Sequence, residues 1–241
     1  MDSPTTQQPI PVEPFFANTG DPCISSIKKK LLLACTGSVA TVKLPDTLTA
    51  LTAYSSHLSV QVILTPSSLH FLPAELVRPS PGAAIPAQYP IVERAWTNAD
   101  EWAQWGQIGD PVLHIELRKW ADLLVIAPLS ADFLAKMVAG HVDGLLGGVV
   151  RAWDVNKTIV VAPAMNTFMW THPITAEQLD VLRHKWHWVK VLEPVEKRLA
   201  CGDVGTGAMR EWKEVVASLL QDLGLLGGVQ EEQGEGVPSG E

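Results

Sequence analysis

A doubly wound α/β sheet, with helices covering both faces in three layers, is the architecture this sequence predicts. Three observations carry that reading. Short apolar runs alternate with segments of helical spacing along most of the chain, and strand–helix alternation of this kind builds a parallel sheet. The runs are continuously apolar rather than alternating, as for strands buried on both faces. The 241 residues are enough for one core that buries most of its apolar surface without disulfide or metal staples.

The elements follow in order. KLLLACT (30–36) is the first strand, followed in GSVATVKLPDTLTALTAY by a turn and then a helix. SVQVILT (59–65) is the second, and the PSSLHFLPAEL after it starts as helix. The stretch VRPSPGAAIPAQYPIVERAW (77–96), broken by Pro79, Pro81, Gly82, Pro86 and Pro90, reads as a long surface loop. HIELRKW reads as a short helix leading into DLLVIAP (122–128), the third strand, and a helix runs from Ala131 to Gly140. KTIVVAPA (157–164) and WVKVLEP (188–194) are the fourth and fifth strands, with a helix carrying Leu179, Val181 and Leu182 between them. MREWKEVVASLLQDLG closes the body, with Gly224 as a C-terminal stop. Residues 1–25 and 227–241 read as disordered tails around a single domain at 26–226, since their Pro-, Gly- and acid-rich composition buries too little apolar surface to offset ordering entropy.

Composition narrows the function classes. Seven of the 26 acidic residues lie in the two tails, leaving 19 against 18 Lys and Arg in the body. A nearly neutral body gives no electrostatic footprint for nucleic acid or a membrane surface. No apolar run approaches the roughly 20 residues that span a bilayer, and the N-terminus lacks a basic region followed by an apolar one. Cys23, Cys35 and Cys201 are odd in number and far apart, which argues against a disulfide framework or a zinc site and for a reducing, cytoplasmic setting.

In a doubly wound sheet the ligand sits at the carboxyl ends of the strands. The residues just past those ends are Gly37-Ser38, Pro66-Ser67-Ser68, Pro128-Leu129-Ser130 and Met165-Asn166. Small hydroxyl residues at three of these four turns offer hydroxyls and free N–H groups to an anion; each alone reads as a helix cap rather than a ligand, and it is their recurrence at one topological level that brings the anion site level with that reading. With no G-x-G-x-x-G and no P-loop motif, a dinucleotide site is disfavoured and a mononucleotide such as FMN stays open. VAPAMNTFMWTHP (161–173) puts one amide, Asn166, between two methionines where a strand gives out, the surround of a pocket. His114 can serve as a base near neutral pH or stand on a solvated helix end. Cys201 lies in LACGDVGTGAM (199–209), whose glycines allow close approach to a ligand or make an ordinary linker. The remaining histidines show no metal-like pairing.

GSVA, TPSSLHF, DPVLHIELRKWADLLVIAPLSA, PAMNTFMW and ACGDVGTGAM together resemble, in order and spacing, the 4'-phosphopantothenoylcysteine decarboxylase family of flavin-dependent cysteine decarboxylases. The resemblance covers about Lys29 to Leu220. It implies a flavodoxin-like (Rossmann-like) fold, bound FMN, a homotrimer with active sites between subunits, and decarboxylation of 4'-phosphopantothenoylcysteine to 4'-phosphopantetheine and CO2 in coenzyme A biosynthesis. By the same resemblance His114 is the active-site base, Asn166 the amide that holds the substrate carboxylate and Cys201 the proton donor. Met165 and Lys119 are implied at the substrate. Gly37, Ser38 and Val39 fall at the flavin phosphate, and Thr65, Ser67, Phe71, Ser130, Ala131, Asp132, Phe133 and Ala164 complete the flavin contacts.

The chain departs from that family at Asp132-Phe133, where Asn-Thr is usual, at Lys119, where Arg is usual, and at Gly140-His141-Val142-Asp143-Gly144. An acid at 132 weakens an anion site unless it is protonated or turned away. A second reading on the same fold is a regulatory subunit that inhibits a Ser/Thr protein phosphatase; the short acidic tail and the presence of His114, Asn166 and Cys201 in one chain favour the enzyme.

Overall fold

The computed structural model describes residues 28–103, 105–198 and 204–226; the tails expected at 1–25 and 227–241, and Cys201, lie outside the described residues. The elements are β1 (Lys29–Cys35), α1 (Leu44–Thr52), β2 (Leu58–Leu64), α2 (Ala74–Val77), α3 (Pro81–Gln88), β3 (Val92–Thr97), α4 (Leu113–Trp120) and β4 (Leu123–Leu129). They continue with α5 (Ala131–Ala139), α6 (Leu145–Arg151), β5 (Ile159–Pro163), α7 (Thr167–Thr171), α8 (Pro173–Asp180), β6 (Val189–Val191), β7 (Val195–Arg198), β8 (Val204–Ala208) and α9 (Trp212–Asp222).

Six strands form one parallel sheet in the order β3-β2-β1-β4-β5-β6. The order reverses between β1 and β4, so a crevice opens beyond their carboxyl ends. The apolar runs have a direct cause. Leu31, Leu33 and Cys35 of β1 face one core with α1, α3 and α9, while Leu32 and Ala34 face a second core with α4, α5 and α6. Each residue from Leu31 to Cys35 is therefore buried on one side or the other, and no alternation survives there. Local signals set the helix ends. Ser130 caps α5, its Oγ accepting from Phe133 N at 3.2 Å, and Gly140 stops it at φ 68°. Gly224, at φ 70°, follows α9 as expected.

The stretch 77–96 is not a loop. It holds α3 and the edge strand β3. Pro81 stands in the first turn of α3, where its missing N–H costs nothing. Ile85 is fully buried and anchors the helix to the core. Gly82 lets α3 approach β3 closely, since a Cβ there would lie 3.2 Å from Ala95 O. The strand escaped notice because Glu93, Arg94 and Thr97 break its apolar run, as an edge position allows. The glycine-rich stretch after β6 is likewise partly regular: β7 and β8 pair antiparallel, with Gly205 opposite Lys197.

Replacing Ile85 by Ala tests this directly. In a packed helix it costs about 2–5 kcal/mol, whereas in a solvated loop it would cost less than about 0.5 kcal/mol. The urea midpoint at unchanged m-value reads the difference.

Candidate functional site

Two adjoining cavities occupy the crevice at the strand carboxyl ends, sharing Ser130 and Asp132. The larger, about 490 Å³, has an apolar wall of Phe71, Ala164, Met165, Met169 and Trp212. The smaller, about 280 Å³, is rich in hydroxyls: Thr36, Thr65, Ser67 and Ser130 line it with Asn98 and Lys136. A flat heteroaromatic ring suits the first, and an oxyanion held by hydroxyl and N–H donors suits the second.

The turns are locked by side-chain to backbone bonds. Thr36, 1% exposed, donates from Oγ1 to Pro128 O at 2.8 Å and accepts from Ser130 N at 2.7 Å. The β1 and β4 turns are thereby tied at the switch point. Gly37 closes the crevice floor, since a Cβ there would lie 2.6 Å from Ser67 Oγ. Thr65 Oγ1 and Ser67 Oγ share a hydrogen at 3.3 Å. Asn166 follows β5 and caps α7, its Oδ1 accepting from Met169 N at 2.8 Å. That bond assigns the amide's orientation, and among the described residues its Nδ2 donors take no partner. From the far side Met165 N donates to Gly207 O at 3.0 Å, and Gly207, at φ 120°, lies so close that a Cβ would sit 2.6 Å from Met165 O.

The large cavity thus gathers Gly37, Ser38, Val39, Phe71, Ser130, Ala131, Asp132, Ala164, Met165 and Asn166. The small one adds Thr65, Ser67 and Phe133. Asp132 is turned aside: its side chain is 69% exposed and pairs with Lys136 at 2.9 Å. Lys136 also pairs with Asp143 at 2.8 Å. These bonds, that to Asp143 foremost, raise the Lys136 pKa, and the ammonium in turn lowers that of Asp143. Since the Lys136 charge is shared between two carboxylates, an oxyanion in this cavity depends on hydroxyls and backbone N–H groups.

Two of the sequence candidates stand elsewhere. His114 opens α4 and lines neither cavity; its Nδ1 meets Glu101 Oε1 at 2.5 Å. Lys119 is exposed on the same helix and pairs with Glu116 at 2.8 Å. Sequence reasoning passed over Thr36, Lys136 and the cleft wall supplied by Met209 and Trp212. Thr36 sat in plain view as the last residue of the first apolar run. Cys35, wholly buried, donates to Ala127 O at 3.2 Å, and burial pushes its pKa up to about 12, so its thiol is inert. Among the described residues no cluster of His, Cys, Asp and Glu could hold a metal ion, and no helix is long and apolar enough to cross a membrane.

A family model described as Flavoprotein matches residues 24–224. A phosphopantothenoylcysteine decarboxylase of Arabidopsis thaliana is 45% identical over 184 residues, 76% of this chain and 80% of that protein. A solved cysteine-to-serine mutant of phosphopantothenoylcysteine decarboxylase, complexed with pantothenoylaminoethenethiol, superposes with TM-score 0.70 at 43% identity, covering 80% of this chain and 97% of that one. The FMN binding protein AtHal3 gives TM-score 0.68 at 44% identity, covering 80% and 96%.

Gly207→Ala should lower stability by about 1–3 kcal/mol through backbone strain alone, and by more through the clash with Met165 O. Gly109→Ala is the control, because Gly109 has φ 106° but nothing within 4 Å of its Cβ position. Urea midpoints of the two variants should differ, with Gly207→Ala the lower.

Proposed function

Because the chain belongs to the flavoprotein family, we propose that it is an FMN-dependent phosphopantothenoylcysteine decarboxylase, removing the cysteine carboxyl to give 4'-phosphopantetheine and CO2. The observation that carries this reading is the Asn166 amide: its oxygen is consumed by the α7 cap while its Nδ2 donors remain for the cleft. An N–H pair beside an apolar wall suits a carboxylate.

The cleft fits the cofactor. Phe71, Ala164 and Met165 would flank the ring, while Ser38, Thr65, Ser67 and Ser130 would hold the ribityl phosphate. When bound, FMN supplies an acceptor for two electrons that it later returns, so that loss of CO2 leaves no unstabilised carbanion and no net oxidation.

The chain's own residues do the rest. Asn166 Nδ2 holds the substrate carboxylate, and fixing it against the ring is worth several kcal/mol of orientation. Met165 and Trp212 exclude water from the departing CO2. We assign removal of the substrate thiol proton to His114 and final protonation to Cys201. The relative captured with an ethenethiol carries serine in place of a cysteine, the behaviour expected of Cys201→Ser. Since His114 lines neither cavity of its own chain, we place it at the cleft of a neighbouring copy in a homotrimer. The enzyme would then work in the cytoplasm, in coenzyme A biosynthesis.

Asn166→Asp keeps a good cap for α7 but sets one carboxylate against another. CO2 release should fall at least about 100-fold, with FMN absorbance retained. Wild-type release would dispose of the clamp. His114→Asn should be equally inactive alone. Mixing it with Asn166→Asp under subunit exchange should restore up to about a quarter of wild-type activity, because random cyclic assembly re-pairs intact residues across interfaces. Absence of any recovery, with exchange shown by mass, would place His114 and Asn166 of one chain at one site.

A further inference from the structure

His114 is gripped from two sides. Its Nδ1 lies 2.5 Å from Glu101 Oε1, and the Glu101 side chain is only 7% exposed. On the other side a Cβ at Gly148 would fall 3.0 Å from His114 Cγ and 3.3 Å from Nδ1, so a side chain there would press the ring out of its present place. Glu101 is itself fixed. It follows the turn Asn98–Asp100, which is closed by a capping box in which Asp100 Oδ2 accepts from Thr97 N at 2.6 Å and Thr97 Oγ1 at 2.8 Å. Asn98 Oδ1 accepts from Leu145 N at 3.2 Å, fastening that turn to the start of α6. Glu101 Oε2 is buried without a partner among the described residues. Leaving a carboxylate oxygen unsatisfied in the interior is costly, and a structural ion pair alone would have no need of it.

We propose that Glu101 is a positioning residue that sets the tautomer of His114. This rests on the reading of His114 as the base. A carboxylate accepts only, so the pair holds the hydrogen on Nδ1 and leaves the lone pair on Nε2. Nε2 then takes the substrate thiol proton, and Glu101 stabilises the imidazolium that forms, as an orienting carboxylate does in other His-based sites. No bond to Glu101 is made or broken. Glu101 acts through His114 and touches neither substrate nor cofactor.

The alternative is that the pair merely pins the 97–110 segment to α4. The two differ in what Glu101→Gln does to the FMN-loaded enzyme. Gln is nearly isosteric but can donate to Nδ1, which favours the Nε2–H tautomer. The expected result is kcat lower by about 100-fold, with KM, FMN content and thermal midpoint near wild type. The ¹⁵N spectrum at alkaline pH, with His114 assigned by its loss in His114→Asn, should show Nδ1–H in the wild type and a shift toward Nε2–H in Glu101→Gln. Glu101→Asp, which keeps the charge, should recover part of kcat. A wild-type His114 carrying its proton on Nε2 overturns the proposal, as does Glu101→Gln with normal kcat while His114→Asn is dead. A fully active His114→Asn would instead sink the base assignment and, with it, the role of Glu101.

Discussion

Everything at this site hangs on the hydroxyl of Thr36. It joins the turn after β1 to the turn after β4 from both sides, donating to Pro128 O and accepting from Ser130 N, beside the backbone bond from Thr36 N to Pro128 O at 3.2 Å. A parallel sheet opens a crevice wherever its strand order reverses, but nothing in the topology fixes how wide that crevice stands. Here two buried bonds to one side chain fix it. The rigidity reaches further, because Ser130 caps α5 and Ala164 N donates to Leu129 O at 2.9 Å, which carries the register on to the β5 exit and Asn166. The apolar wall and the hydroxyl-rich end keep their separation because they are built on these tied turns.

The buried strands were legible because burial on both faces leaves no choice but apolar residues, so Leu31 to Cys35 and Leu123 to Ile126 declare themselves. The strand-end turns were legible for a related reason: where an apolar run stops at the carboxyl edge, the next residues must line the crevice. What escaped was whatever depends on partners distant in sequence. β3 is an edge strand whose pattern is half polar, and α3, with Pro81 at its start as its local signal, is otherwise held by Ile85 and by the room at Gly82. Asp132 is a different case: its partner Lys136 stands one helical turn further on, an i,i+4 pair that was open to reading and was passed over.

His114 and Asn166 illustrate a different limit. Asn166 was picked from its neighbours and His114 from the family resemblance, its residue type alone suiting a solvated helix end as well; yet one chain does not bring them to the same cavity. Geometry nevertheless links the two regions. The turn that begins at Asn98 lines the hydroxyl-rich cavity with its first residue and grips the imidazole with Glu101 just beyond its end. The same short segment therefore faces the hydroxyl-rich end of its own crevice and, through Glu101, holds the partly exposed imidazole of α4. In a cyclic assembly of the kind proposed, each interface would join one copy's His114 to the next copy's Asn166.

The amide between two methionines has a physical explanation in these terms. A strand end in a dry crevice leaves a helix start whose N–H groups need an acceptor, and Ser, Thr, Asp and Asn all serve as caps. Ser and Thr would meet the cap with their single oxygen and leave at most one hydrogen for a ligand. Asp would cap well and repel a carboxylate. Asn alone splits the work between two atoms, with Oδ1 bound to Met169 N and Nδ2 left to donate. Because the cap immobilises Oδ1, the donors are set before any ligand arrives, and the orientation that the proposed carboxylate would need is supplied by the folding of α7 rather than by binding.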